Sequence, residues 1–208
     1  MAVDLKSARH WARELISEAL PEGGTAIDAT MGNGYDTLWL CQLVGEKGRV
    51  YAFDVQPEAL ESTHARLSEA GVAGRATLIL DGHQHMADHV HEPVDAILFN
   101  LGWLPGVAHA VTTRTETTLA AVDAALALLK PGGAMTVCVY PGHEEGKREK
   151  AALLDWARSL DSVLYDACVK SFLNIRNDPP LMIAVARRLK PARRAARQEN
   201  AAENGAKT

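Results

Sequence analysis

Four polar residues stand where short apolar runs end: Asp28 after "TAI", Asp54 after "RVYAF", Asp81 after "ATLIL" and Asn100 after "VDAILF". Carboxylates and an amide gathered in this way accept hydrogen bonds, so they suit a ligand that brings hydroxyls or an amino group. The first lies in "DATMGNGYD", where Gly32 and Gly34 let the backbone approach a ligand closely and Asp36 opens the next helix. This loop lacks the third glycine of the G-x-G-x-x-G dinucleotide fingerprint, and it offers acidic and amide side chains in place of the bare amides that a pyrophosphate takes. The last lies in "FNLGWLP". There Asn100 presents an amide oxygen and a carbonyl, Gly102 exposes backbone, Trp103 offers a flat ring that can stack on an unstacked base, and Pro105 stiffens the turn. A single aspartate at a strand end is as readily a turn former or helix cap. Four aligned polar ends argue for a site.

For these residues to meet, the runs that carry them must be strands of one sheet. Helical periodicity is predicted over 8–20, with Trp11, Leu15, Ile16 and Ala19 on one side and "PEGG" as the stop. The strand "TAIDAT" follows, then a helix in "MGNGYDTLWLCQLVG", the strand "RVYAFDVQ", and a helix from Pro57 to Gly71 that begins with proline in its favoured first turn. The strands "ATLILDGHQ" and "VDAILFN" come next, then a long helix in "TTRTETTLAAVDAALALLK", whose Thr113 and Glu116 match a capping box, with Thr112 or Thr115 as other candidate caps. "PGGAMTVCVY" turns into a fifth strand, "EEGKREKAALLDWARSL" is a helix, and "SVLYDACVKSF" and "PLMIAVARRL" close as two strands. Strands alternating with helices predict an α/β fold: a Rossmann-like, doubly wound, mostly parallel sheet whose ligand sits at the carboxyl ends of the strands. The last two strands have no helix between them, so one of them should run antiparallel.

The chain's 208 residues suit a single domain, placed over 1–189, with 190–208 a polar, basic tail expected to be disordered. No apolar run approaches a membrane span and the N-terminus lacks a signal-peptide core, so a cytoplasmic, membrane-free protein is expected. A net charge of −4 argues against a general nucleic-acid coat protein, though a local basic patch can still dock one folded RNA. Cys41, Cys138 and Cys168 form no C-x-x-C pair, and all three read as buried free thiols.

An acid at the end of the second strand, as Asp54 is, can accept both hydroxyls of a ribose. NAD enzymes use the same position; the glycine pattern favours S-adenosylmethionine (SAM) instead. On that reading Asp28, Gly32, Asn33, Gly34, Asp36, Thr37, Asp54 and Gln56 hold the cofactor from the first two strand ends, joined by Asn100. Asp81 or Gly82 touches the adenine, and His83 lies near the adenine or the SAM carboxylate. His85 and His89 stand four apart and could share a helix face, yet no acid or cysteine completes a metal set, and no metal is expected.

"DATMGNGYDT", "YAFDVQPEAL", "FNLGWLPG", "TTLAAVDAALALLKPGG", "VYPGHEEGKRE" and "FLNIRNDPP" occur in this order, and together they resemble the class I SAM-dependent methyltransferases known as rRNA methylases and linked to tRNA (5-aminomethyl-2-thiouridine) methylation. The resemblance runs from residue 5 to residue 188. Trp103 stands where that family usually has tyrosine, and "VAHA" where it tends to carry a lysine. The resemblance implies a seven-stranded sheet with the last strand antiparallel, a homodimer, and methylation of the aminomethyl group in the anticodon region of tRNA, leaving S-adenosylhomocysteine.

In such a reaction Asn100, Gly102 and Trp103 form the catalytic loop, orienting the amine and stacking on the base. Trp103, Pro105, His143, Asn174 and Asn177 are assigned to the substrate. Lys147, Arg148 and Lys150 can meet phosphates or simply face solvent. Three other readings stay open: a SAM-dependent methyltransferase of rRNA or of a small amine, a non-catalytic SAM- or RNA-binding module, and an NAD-dependent oxidoreductase.

Overall fold

The computed structural model describes residues 5–102 and 113–190. Trp103 and Pro105, and the tail beyond residue 190, lie outside the described residues. Seven strands form one sheet in the order β3-β2-β1-β4-β5-β7-β6. They are β1 (Thr25–Asp28), β2 (Arg49–Asp54), β3 (Ala76–Leu80), β4 (Val94–Asn100), β5 (Leu129–Val139), β6 (Tyr165–Lys170) and β7 (Leu181–Arg187). β1 pairs in parallel with both β2 and β4, while β7 runs antiparallel between β5 and β6. The seven-stranded sheet with an antiparallel last strand is therefore as expected. The chain winds outward from β1 to β3 and then returns to the other side of β1 as β4. The switch point lies between β1 and β4, where open α/β sheets bind their ligands.

Alternate residues of the central strands feed two apolar layers, as the period of two requires. Ala26, Val50, Ala96 and Leu98 face one layer with Ile16 of α1 (Ala8–Ala19), Leu40, Cys41 and Val44 of α2 (Tyr35–Val44) and Leu67 of α3 (Pro57–Glu69). Ile27, Phe53, Ile97 and Phe99 face the other, with Met86 of α4 (Met86–His89), Val122 and Ala125 of α5 (Thr115–Leu128), and Leu153 of α6 (Glu144–Ser159). Burial on both faces explains why these strands read as nearly continuous apolar runs.

Several boundaries differ from expectation. Glu116 does not cap α5; the helix begins at Thr115, whose backbone N–H and hydroxyl both donate to Glu145 of α6 at 2.8 Å. A neighbouring helix thus supplies the cap from afar, a partner that sequence spacing does not reveal. Between β3 and β4 the link contains a 3-10 turn (His83–His85) and the short α4. Cys41 and Cys138 are buried, and burial pushes both thiols up to about 12. Cys168 is instead exposed, because β6 is an edge strand whose residues are mostly uncovered. Among the described residues no helix is long and apolar enough to cross a membrane.

Candidate active site

The loop after β1 is held by strands on both sides and by α3. Ala29 N–H donates to Leu98 O at 2.9 Å and Met31 N–H to Phe53 O at 2.9 Å. Gly32 N–H donates to Asp54 Oδ2 at 3.0 Å, Thr63 Oγ1 donates to Gly32 O at 3.0 Å, and Arg66 Nε donates to Asn33 O at 2.7 Å. Gly34 begins α2 at φ 76°, and a Cβ there would stand 2.9 Å from the Thr63 Cα. Conformation and packing both demand glycine. Behind this loop Asp28 is fully buried, accepting from Thr37 Oγ1 at 2.7 Å and Thr30 N–H at 3.1 Å. Burial, assisted by the charge of Asp36, pushes its carboxyl up to about 7. Asp28 and Thr37 do not line the cleft; they brace the turn from inside.

Asp36, in the first turn of α2, collects the strongest cluster of charge. Arg9 reaches it through Nε at 3.1 Å and Nη2 at 3.0 Å, and Arg13 through Nε at 2.8 Å and Nη2 at 2.6 Å. Both arginines come from α1 at successive turns of one helix face. Asn100 Nδ2 donates to Asp36 Oδ2 at 2.5 Å. The Asp36 carboxylate meets both guanidinium groups as an acceptor, so Asn100 turns its NH2 toward it. That choice fixes the other end of the amide. Asn100 Oδ1 is buried and has no hydrogen-bond partner among the described residues. A buried acceptor left empty costs roughly 1–3 kcal/mol, which a donor arriving with a ligand would recover. The Asn100 backbone is equally fixed, its N–H donating to Thr30 Oγ1 at 2.7 Å.

Across the cleft, Asp54 accepts from Gly32 and Gln56 N–H groups, and burial raises its pKa. His83 is buried, and its Nδ1 lies 3.2 Å from Ala29 O. A carbonyl only accepts, so Nδ1 carries the proton and Nε2 is a bare acceptor. Burial lowers the pKa of this ring, which favours its neutral form. Asp81 takes His85 Nδ1 at 2.8 Å and His89 Nε2 at 2.9 Å. Bonds to His89, then His85, hold its carboxyl down at about 2. The two histidines share a partner rather than a bare helix face.

The cleft enclosed by these ends measures about 950 Å³. It brings together Gly32, Asn33, Asp36, Asp54, Gln56, Asp81, Gly82, His83, Asn100 and Gly102 from the sequence reading. His143, Asn174 and Asn177 do not line it. His143 caps α6, its Nδ1 accepting from Gly146 N–H at 3.1 Å, and the two asparagines sit in the exposed turn between β6 and β7. Lys147, Arg148 and Lys150 each lie against a carboxylate, of Glu144, Glu145 and Asp178 respectively. The structure adds Arg9, Thr113, Arg114, Thr117 and Tyr140 to the lining. Burial, with the neighbouring Cys138, pushes the Tyr140 hydroxyl up to about 12, so it remains a donor. The α1 arginines were legible only as a helix face; nothing in their spacing names Asp36 as their partner.

The family model described as "Putative rRNA methylase" matches residues 50–186. The chain is similar to the chloroplastic tRNA (mnm(5)s(2)U34)-methyltransferase of Arabidopsis thaliana, with 35% identity over 88% of this chain and 70% of that protein. Among solved structures it resembles a protein of Clostridium thermocellum described as a "putative rRNA-methylase", with 38% identity, a TM-score of 0.87, and coverage of 89% of this chain and 100% of the other. It also resembles a Streptococcus mutans protein described as "a putative methyltransferase" and solved with S-adenosylhomocysteine, at 37% identity and a TM-score of 0.81, over 88% of this chain and 99% of the other.

Proposed function

The chain belongs to the family described as "Putative rRNA methylase" and is a methyltransferase; from that premise we propose that it uses SAM to methylate the 5-aminomethyl group of a wobble 2-thiouridine in tRNA. The observation that supports this reading is the buried Asn100 Oδ1 beside Asp36, which has no hydrogen-bond partner among the described residues. It is an acceptor of fixed orientation at the end of the strand next to the switch point, suited to a primary amine. The tRNA assignment draws its support from the Arabidopsis relative, whose name specifies that nucleoside.

The residues present fit SAM. Asp54 offers a carboxylate at the end of β2 for ribose hydroxyls, Gly32 and Asn33 give close backbone, and Gly82 and His83 lie beside them in the same cleft. When bound, SAM supplies an electrophilic methyl group. The protein's part is to bind, orient and exclude water. An alkylammonium near pKa 10.4 costs about 4–5 kcal/mol to neutralise at pH 7, and a benzylic-type amine costs less. Asp36 is already occupied by Arg9 and Arg13, so it does not hold an ammonium in its charged form. Asn100 Oδ1 instead accepts one N–H of the neutral amine and aims its lone pair into the cleft. The proton released after transfer passes to solvent.

The test uses labelled SAM with separate pools of tRNA, ribosomal RNA and small amines. Label in tRNA is expected. Label confined to ribosomal RNA would overturn the substrate, and SAM binding without label in any pool would reduce the chain to a binding module. The homodimer belongs to the same proposal; light scattering should give twice the mass of one chain, and a single-chain mass would remove it.

A further inference from the structure

Glu149 is 1% exposed, lies in α6, and does not line the cleft. Its two oxygens are taken by threonine hydroxyls: Thr118 Oγ1 donates to Oε1 at 2.7 Å and Thr113 Oγ1 donates to Oε2 at 3.0 Å. Thr113 Oγ1 in turn accepts the Gly102 N–H at 3.1 Å, and Thr113 N–H donates to Gly102 O at 3.1 Å. Gly102 sits two residues beyond Asn100, at φ 131°. Burial raises the Glu149 pKa, so the fold spends stability to keep a carboxyl here.

We propose that Glu149 is a positioning residue for methyl transfer, acting through Thr113 to fix the Gly102 backbone and so the aim of Asn100. The inference rests on the methyltransferase reading of the cleft. Its logic is one of orthogonal restraints. Asn100 N–H is held by Thr30 of the glycine loop, Leu101 N–H by Cys138 O of β5, and Gly102 by Thr113. The first two restraints come from the sheet and its loop. The third comes from the far helical layer, and its side-chain half, the Thr113 hydroxyl, is oriented by one buried acid. The Thr113 hydroxyl gives its single proton to Glu149 and is thereby left as an acceptor toward Gly102. Without the acid, that hydroxyl is free to turn away, and the backbone beyond Asn100 keeps only the Thr113 N–H bond to Gly102 O as its outer anchor. Thr118 is fully buried and holds the second oxygen, which fixes the carboxyl plane.

Glu149→Leu should therefore lower kcat by roughly tenfold to a hundredfold, the scale of a small misplacement of reacting groups. SAM affinity should stay within about twofold, because Asp54 and the glycine loop are untouched. Glu149→Gln, which keeps an oxygen for the Thr113 hydroxyl, should restore most of the lost rate. Should Glu149→Leu fail to fold, Thr113→Val against Thr113→Ser poses the same question. Serine should support turnover, and valine should lose it without losing SAM. Exchange of the Gly102 amide, followed by NMR, reads the anchor without any substrate and should quicken in Glu149→Leu or Thr113→Val. Wild-type rates in both Glu149→Leu and Thr113→Val, or unchanged Gly102 exchange, would overturn the inference. Loss of SAM binding in step with kcat would do the same, marking Glu149 as merely structural. A wild-type protein that transfers no methyl while Gly102 exchange behaves as expected would count against the substrate reading and not against the anchor.

Discussion

Replacing Asn100 by alanine removes both the donor that meets Asp36 and the buried acceptor that has no partner among the described residues. Turnover should fall by about 10²–10³, the scale seen when a preorganised polar group at a reacting centre is lost. Asn100→Asp should do no better, since a second carboxylate beside Asp36 brings like charges together. Steady-state rates alongside SAM titration check both variants; a fall in SAM affinity with kcat preserved would move Asn100 to the cofactor side alone. Asp28 gives a second test at this scale. Its folded pKa, about 7, lies above the ordinary value of 3.8, so between those values the folded protein binds more protons than the unfolded chain. Its contribution to stability is therefore fully present below the unfolded value and lost as pH rises through about 7. Asp28→Asn should flatten that part of the pH–stability curve relative to wild type. Denaturant midpoints from acid to neutral pH measure the difference, and parallel curves would show that Asp28 does not titrate in this window.

The elements carry the site by their ends. Gly34→Ala forces a Cβ against the Thr63 backbone at a left-handed φ, and should destabilise the fold by about 1–3 kcal/mol. Thermal melting checks this, with Gly71→Ala as the comparison. Gly71 also has positive φ (68°), but a Cβ there would meet nothing within 4 Å, so only the conformational cost remains. Equal losses at the two positions would mean that packing against α3 adds nothing. The helices and strands were legible because apolar residues repeat at their own periods, and the strand ends Asp28, Asp54, Asp81 and Asn100 were legible because a polar residue ends each run. Contacts between distant helices were not. Glu145 reaches the start of α5, Glu149 reaches Thr113 and Thr118, and the arginines of α1 reach Asp36. Each joins residues more than twenty positions apart, and a charged residue on a helix reads in sequence as a solvated face until its partner is placed.

At the scale of the whole molecule, the parallel strands of the sheet set three strand ends and one glycine loop around a cleft, and α1 closes the charge on Asp36. Fold class and the strand ends that line the cleft were accessible to sequence reasoning because they follow from strand order and strand-end chemistry. The loops after β5 and β6 were less so: His143, Asn174 and Asn177 were placed beside the pocket by chain order, which does not say which way a loop turns, and none of the three lines the cleft. The central claim is that Asn100 orients a neutral aminomethyl group for methyl transfer. The most direct measurement is a single-turnover reaction on tRNA whose wobble 2-thiouridine stops at the aminomethyl stage, followed by nucleoside mass analysis for wild type and Asn100→Ala. The wild type should add one methyl to that nucleoside, faster as pH rises toward the amine pKa, and Asn100→Ala should add none in the same time. Methyl on a different nucleoside, or Asn100→Ala running at the wild-type rate, would contradict it.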